Sequence, residues 1–253
     1  MTGINTGYIP HAHQAEIHAA LVRFNVLVCH RRFGKTVLAI NSLIDAALRF
    51  DKHTAGQFGY LAPYQKQAKR IAWRYLISYA MTIPGTLKNE SELWVEFVNG
   101  NRVTLYGADN ADAIRGIYLD GVVLDEVADM KSVVWGEIIR PAIADRKGWG
   151  IFIGTHRGQN NFFELYEQAL REPTWFAALY RADETNLPWL DAEELELARA
   201  TQSESQYRQE WLCDFSASTD NTLITIDQVS DAAKRHVHLK ALAGAPKILG
   251  VDV

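Results

Sequence analysis

Seven consecutive residues, His30-Arg31-Arg32-Phe33-Gly34-Lys35-Thr36, carry the chemistry needed to hold a polyphosphate. Gly34 lets the backbone curl so that amide N–H groups converge on an anion. A helix beginning near Lys35 adds the positive end of its dipole at the same point. The Lys35 ammonium can reach terminal phosphates, and the Thr36 hydroxyl is a hard oxygen donor suited to Mg²⁺. Arg31 and Arg32 are two further cations able to neutralise phosphate charge. A second cluster, Val122-Val123-Leu124-Asp125-Glu126, is an apolar run ending in two carboxylates. Asp125 can hold Mg²⁺ through water, and Glu126 can polarise an attacking water as general base. Taken singly, the first cluster is also what a capped helix start looks like, and the second an exposed acidic turn. Together, and in this order, they point to a nucleoside triphosphate and its metal.

These groups need a framework of parallel strands that end at one edge. Phe24–Cys29 reads as a buried strand leading into the loop, and residues 35–50 as the helix leaving it, with Leu38, Ile40, Leu43, Ile44, Ala47 and Leu48 apolar. Residues 58–62 form a second strand, closed by Pro63. Residues 64–79 read as a helix with Ala68, Ile71, Ala72, Tyr75 and Leu76 on one face and Lys66, Lys69, Arg70 and Arg74 on the other. That cationic stripe could track a phosphate backbone; it is read as the solvated side of a helix. Residues 92–98 and 102–106 alternate around Asn99-Gly100, a hairpin signal. Residues 121–124, 150–154 and 176–181 are further strands, and 161–171, 191–200 and 204–212 are helices. A polar link follows Phe215, and residues 247–253 form an apolar strand with nothing after it, as expected of a chain cut inside a domain. The pattern predicts an α/β fold with a largely parallel sheet.

Bulk properties narrow the classes. The chain has 253 residues, 48% hydrophobic and 22% charged, with a formal net charge of −4. Nucleic acid would therefore have to be held by a local patch, since no global positive field exists. Two cysteines, Cys29 and Cys213, fit a reducing compartment and argue against a disulfide framework. The first residues lack the pattern of a signal peptide, and no apolar run has the length to cross a bilayer. The pairs His11/His13 and His236/His238 lack further ligands and read as surface residues.

Gly34-Lys35-Thr36 matches the end of the P-loop pattern, although Cys29 stands where that pattern has its first glycine. The ordered motifs H-R-R-F-G-K-T, V-V-L-D-E and I-G-T-H-R-G resemble those of the large terminase subunits of tailed bacteriophages. Those proteins typically carry a deviant P-loop with its first glycine replaced and an arginine inside, and Arg31 matches that arginine. The resemblance implies a P-loop NTPase with a largely parallel sheet flanked by helices, plus a small helical C-terminal subdomain. It implies ATP and Mg²⁺ as cofactors and an ATPase coupled to translocation of double-stranded DNA into the procapsid. The residues it implicates in catalysis are Lys35, Arg31, Glu126 and Arg115. Arg115 stands ten residues before Asp125, where some terminases place an arginine that reaches a neighbouring subunit. Nucleotide contacts fall to Gln14, His30, Arg31, Arg32, Phe33, Gly34, Lys35, Thr36 and Thr155. Gln14, after Tyr8-Ile9-Pro10, matches the adenine-recognising segment, and Thr155 the motif coupling hydrolysis to movement.

Metal ligands implied are Thr36 and Asp125 and, in a separate site, Asp252. Gly250-Val251-Asp252 resembles the first strand of a ribonuclease-H-like nuclease. The expected division is a motor domain at 1–215, a linker or subdomain at 216–245 and the nuclease start at 246–253. One carboxylate cannot build a two-metal centre, so no nuclease activity is expected of this chain. The loose match of Gln209-Glu210-Trp211-Leu212 and Phe215 to the end of the family's motor agrees with that boundary. Implied partners are double-stranded DNA, the portal protein, the small terminase subunit and sister copies in a five-membered ring. The implied location is the host cytoplasm at the portal vertex, without a membrane. Two readings compete: a DExx-type DNA helicase or translocase, and a nucleotide-binding assembly module that does not turn over.

Overall fold

The computed structural model describes residues 6–52, 54–217 and 226–234. Among these residues eight strands form one sheet: β1 Phe24–Cys29, β2 Gln57–Ala62, β3 Leu87–Asn89, β4 Trp94–Glu96, β5 Arg102–Gly107, β6 Gly121–Asp125, β7 Trp149–Gly154 and β8 Trp175–Tyr180. Their order is β3-β4-β5-β2-β6-β7-β1-β8. From β5 to β8 neighbouring strands run parallel; β3 and β4 add an antiparallel edge. β1 and β6 are buried along their whole length, Asn25 and Asp125 included, as strands covered on both faces must be.

Alternation divides the core between the two faces of the sheet. On one, Leu27, Val123, Ile151 and Ile153 pack under Leu38, Leu43 and Ile44 of the helix that follows the loop. On the other, Val26, Val28, Leu124 and Phe152 meet Val134, Ile139 and Phe162. The principal helices are α1 Ala12–Ala20, α2 Lys35–Arg49, α3 Trp73–Ala80, α4 Asn161–Arg171, α5 Ala192–Thr201 and α6 Glu204–Glu210. Asn160, Asp191 and Ser203 cap the last three with side-chain oxygens, which fixes where each begins. Cys29 and Cys213 are both buried and unpaired. No helix among the described residues is long and apolar enough to cross a membrane.

Two expectations need correction. The helix expected over 64–79 is not uniform: a π segment, Ala68–Ala72, separates Gln65–Gln67 from α3. The wider turn changes which residues face inward. Trp73 is buried, whereas Ile71 and Tyr75, expected in the core, remain 39% exposed. The strand expected over 92–98 shrinks to Trp94–Glu96, though it pairs with β5 around the Asn99-Gly100 turn as expected. The strand expected at 247–253 and the polar link lie largely or wholly outside the described residues, as do Asp252, His236 and His238.

Candidate nucleotide site

Parallel register sets the site. β7 pairs Ile153 with Leu27 of β1 on one side and with Asp125 of β6 on the other. The tips of the three strands therefore end at one edge, where open α/β sheets bind ligands. α2 starts there, with Gly34 as its N-cap at φ 92°. A side chain at Gly34 would be strained by that φ and would meet the Gln14 amide at 2.8 Å. The first-turn amides of α2 have no acceptor within the helix and are available to an anion.

Lys35 and Thr36 point across that edge. Lys35 is buried and donates to the His30 carbonyl at 3.2 Å and to Thr155 Oγ1 at 2.9 Å. Its Nζ is 3.8 Å from Glu126 Oε1. Thr36 Oγ1 donates to Asp125 Oδ2 at 2.9 Å. Burial raises the Asp125 pKa and the neighbouring Glu126 adds to this; hydrogen bonds from Tyr60 and Thr36 and the Lys35 charge oppose it. Glu126 holds a left-handed backbone, φ 56° and ψ 50°. Such strain in a non-glycine residue costs roughly 1–3 kcal/mol and is typical of functional sites. Gly154 permits it, because a Cβ there would press on Glu126 Cα at 3.2 Å. The Thr155 amide then donates to Glu126 Oε2 at 3.3 Å, and Thr155 Oγ1 donates to the Cys29 carbonyl at 3.1 Å.

A cavity of about 830 Å³ opens over these groups, lined by Arg31, Arg32, Gly34, Lys35, Thr36, Glu126 and Thr155. Its far walls are Gln67, Ile71 and Tyr75 on one side and Ser205, Gln206 and Gln209 on the other. The small helix α6 thus closes the cavity from the C-terminal side. Arg31 is tied to that wall: its guanidinium pairs with Glu210 at 2.7 Å and its amide donates to the Glu210 carbonyl at 2.8 Å.

Other residues named from the sequence take different positions. His30 and Phe33 are fully buried and belong to the loop's support. His30 Nε2 lies 2.9 Å from Thr185 Oγ1, and burial pushes its pKa down to about 4, so the ring is neutral. Only their backbone groups can meet a phosphate. Gln14 is also buried; its Nε2 donates to the Gly34 carbonyl at 3.2 Å, and its Oε1 accepts from His11 N at 3.2 Å and Tyr8 OH at 3.3 Å. Gln14 therefore touches the loop without lining the cavity. Arg115 lies outside the cavity as well, on an exposed turn, 4.0 Å from Glu137.

Sequence reading gave no role to Tyr60, Asp129 and Arg157 and took His11 for a surface residue. Tyr60 OH donates to Asp125 Oδ2 at 2.7 Å; its signal was a lone hydroxyl in an otherwise apolar strand. Asp129 and Arg157 pair at 2.8 Å and both line the cavity; Arg157 lies within the I-G-T-H-R-G motif, whereas nothing in the sequence marks Asp129. His11 is not a free surface residue, since its Nε2 lies 3.0 Å from the Phe33 carbonyl.

A parallel sheet with a Gly-Lys-Thr loop opening α2, one strand removed from an Asp-Glu tip, defines a P-loop NTPase α/β fold. Residues 29–231 match the family model described as terminase large subunit, T4likevirus-type, N-terminal, and the chain belongs to that family. The large terminase subunit of Thermus virus P23-45 is 30% identical over 179 residues, 63% of this chain and 36% of that protein. The chain thus spans about a third of the length of that relative. The large terminase ATPase domain of Thermus phage P74-26 superposes with a TM-score of 0.70 at 24% identity, covering 83% of this chain and 95% of that one. The large terminase of another thermophilic bacteriophage, solved in complex with ADP, superposes with a TM-score of 0.64 at 18% identity over 77% of this chain and 48% of that one.

Proposed function

We propose that this chain is the ATP-hydrolysing motor of a large terminase subunit, driving double-stranded DNA into a procapsid. One observation carries the reading: Lys35, Thr36, Asp125, Glu126 and Thr155 converge by direct contacts at the floor of one cavity. The ADP complex of the thermophilic-phage terminase supports a nucleotide as the occupant. Residues 1–215 are read as the motor, 216–245 as a linker or subdomain and 246–253 as the start of a nuclease fold.

The donor set fits Mg²⁺. Thr36 Oγ1 and the Asp125 carboxylate already touch, and among the described residues there is no three-ligand His, Cys, Asp or Glu cluster to favour another metal. Mg²⁺ commonly takes one or two protein oxygens and fills its remaining positions with water and phosphate. When bound, it would neutralise charge on the β- and γ-phosphates. Lys35 exchanges its contacts with Thr155 and the His30 carbonyl for phosphate oxygens. Glu126 orients the in-line water and accepts its proton. Thr155 bridges Lys35 and the end of β1, so the loss of a γ-phosphate changes its partners directly. Arg31 reaches a phosphate by leaving Glu210.

Arg115 completes the clamp from the adjoining subunit of a ring of five docked on the portal, with the small terminase subunit selecting the DNA in the host cytoplasm. Gln14 serves the base side of the nucleotide by holding Gly34 in place. Phosphate release from Mg·ATP, stimulated by DNA, together with ATP-driven packaging and no strand displacement, is the expected result. Absence of ATP binding at millimolar concentration would remove the motor reading.

The trans role gives a separate expectation. Arg115→Ala should lose about 10³-fold or more in turnover, the scale of an arginine finger. Mixing it with Glu126→Gln subunits should restore activity, since each supplies what the other lacks. No recovery on mixing, under conditions where the wild type assembles, counts against Arg115 acting between subunits.

A further inference from the structure

Tyr60 is a buried polar group at this site with no part in the mechanism above. It lies on β2, opposite Val123 of β6, two residues before Asp125. The residue is 3% exposed, and its hydroxyl has Asp125 Oδ2 as acceptor at 2.7 Å. Thr36 Oγ1 donates to the same oxygen at 2.9 Å, and the Glu126 amide donates to Oδ1 at 3.0 Å. An ionised carboxylate offers about four lone-pair sites. Three are occupied by these donors, and the fourth is on Oδ1. Thr36 and Glu126 belong to the elements that react with nucleotide; Tyr60 ties the carboxylate to a strand on the opposite side of β6 from the loop.

We propose that Tyr60 is a positioning residue for the metal: its phenol fixes the Asp125 carboxylate so that Oδ1 faces the water shell of Mg²⁺. The proposal rests on the nucleotide reading above. Partners of this kind orient metal-binding groups, and their loss typically costs about 10–100-fold in metal affinity or activity. Thr36 can ligate the ion through an oxygen lone pair while its O–H still donates to Asp125, so both hydroxyl donors persist in the loaded site. Tyr60 also stands on the strand that leads into the segment bearing Gln67, Ile71 and Tyr75, which form one cavity wall. The wall and the metal are thereby held by the same strand.

The test is Tyr60→Phe, which keeps the ring and removes the donor, with Tyr60→Met as a second apolar filler. Binding of fluorescent ATP is measured in EDTA and across a Mg²⁺ titration, and bound Mn²⁺·ATP is followed by electron paramagnetic resonance. Expected are metal-free ATP affinity within about twofold of wild type, a metal midpoint raised about 10–100-fold and an altered Mn²⁺ spectrum. An unchanged midpoint and spectrum in a folded variant would overturn the proposal and leave Tyr60 a core residue. A wild-type chain whose ATP binding ignores Mg²⁺ would instead overturn the reading on which it rests.

Discussion

Lys35→Ala is expected to abolish ATP turnover, with a loss of at least about 10²–10³-fold, the scale for deleting one transition-state donor. The ammonium is a buried cation on the floor of the cavity, within 3.8 Å of Glu126 and in contact with Thr155. Its removal leaves Asp125 and Glu126 facing a triphosphate without a protein counter-charge between them. Like charges in a desolvated pocket repel strongly, so ATP binding should weaken along with hydrolysis. Arg31 is a poor substitute: it is 59% exposed and must first leave Glu210, whereas Lys35 is already buried between the strand tips. Circular dichroism should show an intact fold, because the packing of α2 on the sheet is carried by Leu38, Leu43 and Ile44. The measurement is steady-state phosphate release beside fluorescent-nucleotide binding. Undiminished hydrolysis would exclude this loop as the reaction site.

The parts of this site that were legible in the sequence are those where backbone geometry and side-chain chemistry coincide. β1, β6 and β7 are buried on both faces, so each reads as an apolar run that turns polar at its tip, and the tips are Cys29-His30, Asp125-Glu126 and Gly154-Thr155. α2 announces itself through its apolar stripe and the glycine at its start. α1 gives no such signal: among its nine residues only Gln14 and Ile17 are buried, and the capping box between His11 and Gln14 defines its start. β3 is three largely exposed residues paired to a hairpin, below the length at which alternation can be seen. The segment after Glu126 buries Val127, Met130, Val134, Ile138 and Ile139 through 3₁₀ and π turns, whose spacing follows neither a helix nor a strand period.

Side-chain direction was the other gap. His30 and Phe33 sit inside the motif, yet their side chains anchor it from behind, against Thr185 and Tyr180. Ile71 and Tyr75 sit on the stripe that a regular helix would bury, yet one π turn delivers them to the cavity. Tyr60 and Asp129 become visible only when β2, β6 and β7 are laid side by side. Each donates or accepts across elements far apart in the chain, which a motif cannot encode.

Glu126→Gln should separate binding from chemistry. The amide is isosteric with the carboxylate, so Oε can still accept from the Thr155 amide, now at 3.3 Å, and the loop after β7 keeps its support. One negative charge beside the phosphates is removed, so ATP affinity should hold or rise. What is lost is the proton acceptor for the attacking water, and removing a general base lowers turnover by about 10²–10⁴-fold. The strained backbone makes the assignment sharper. Glu126 adopts φ 56° and ψ 50°, a conformation that is costly for a residue with a side chain, and Gly154 leaves room for it. A merely structural acid would gain nothing from that geometry, whereas a base must be turned out of the strand direction to stand beside Lys35. Glu126→Gln and wild type should therefore show similar melting temperatures, with single-turnover hydrolysis lost in the variant and ATP retained on the protein after gel filtration. Normal turnover would remove Glu126 from the base role and leave the strained turn without a chemical purpose.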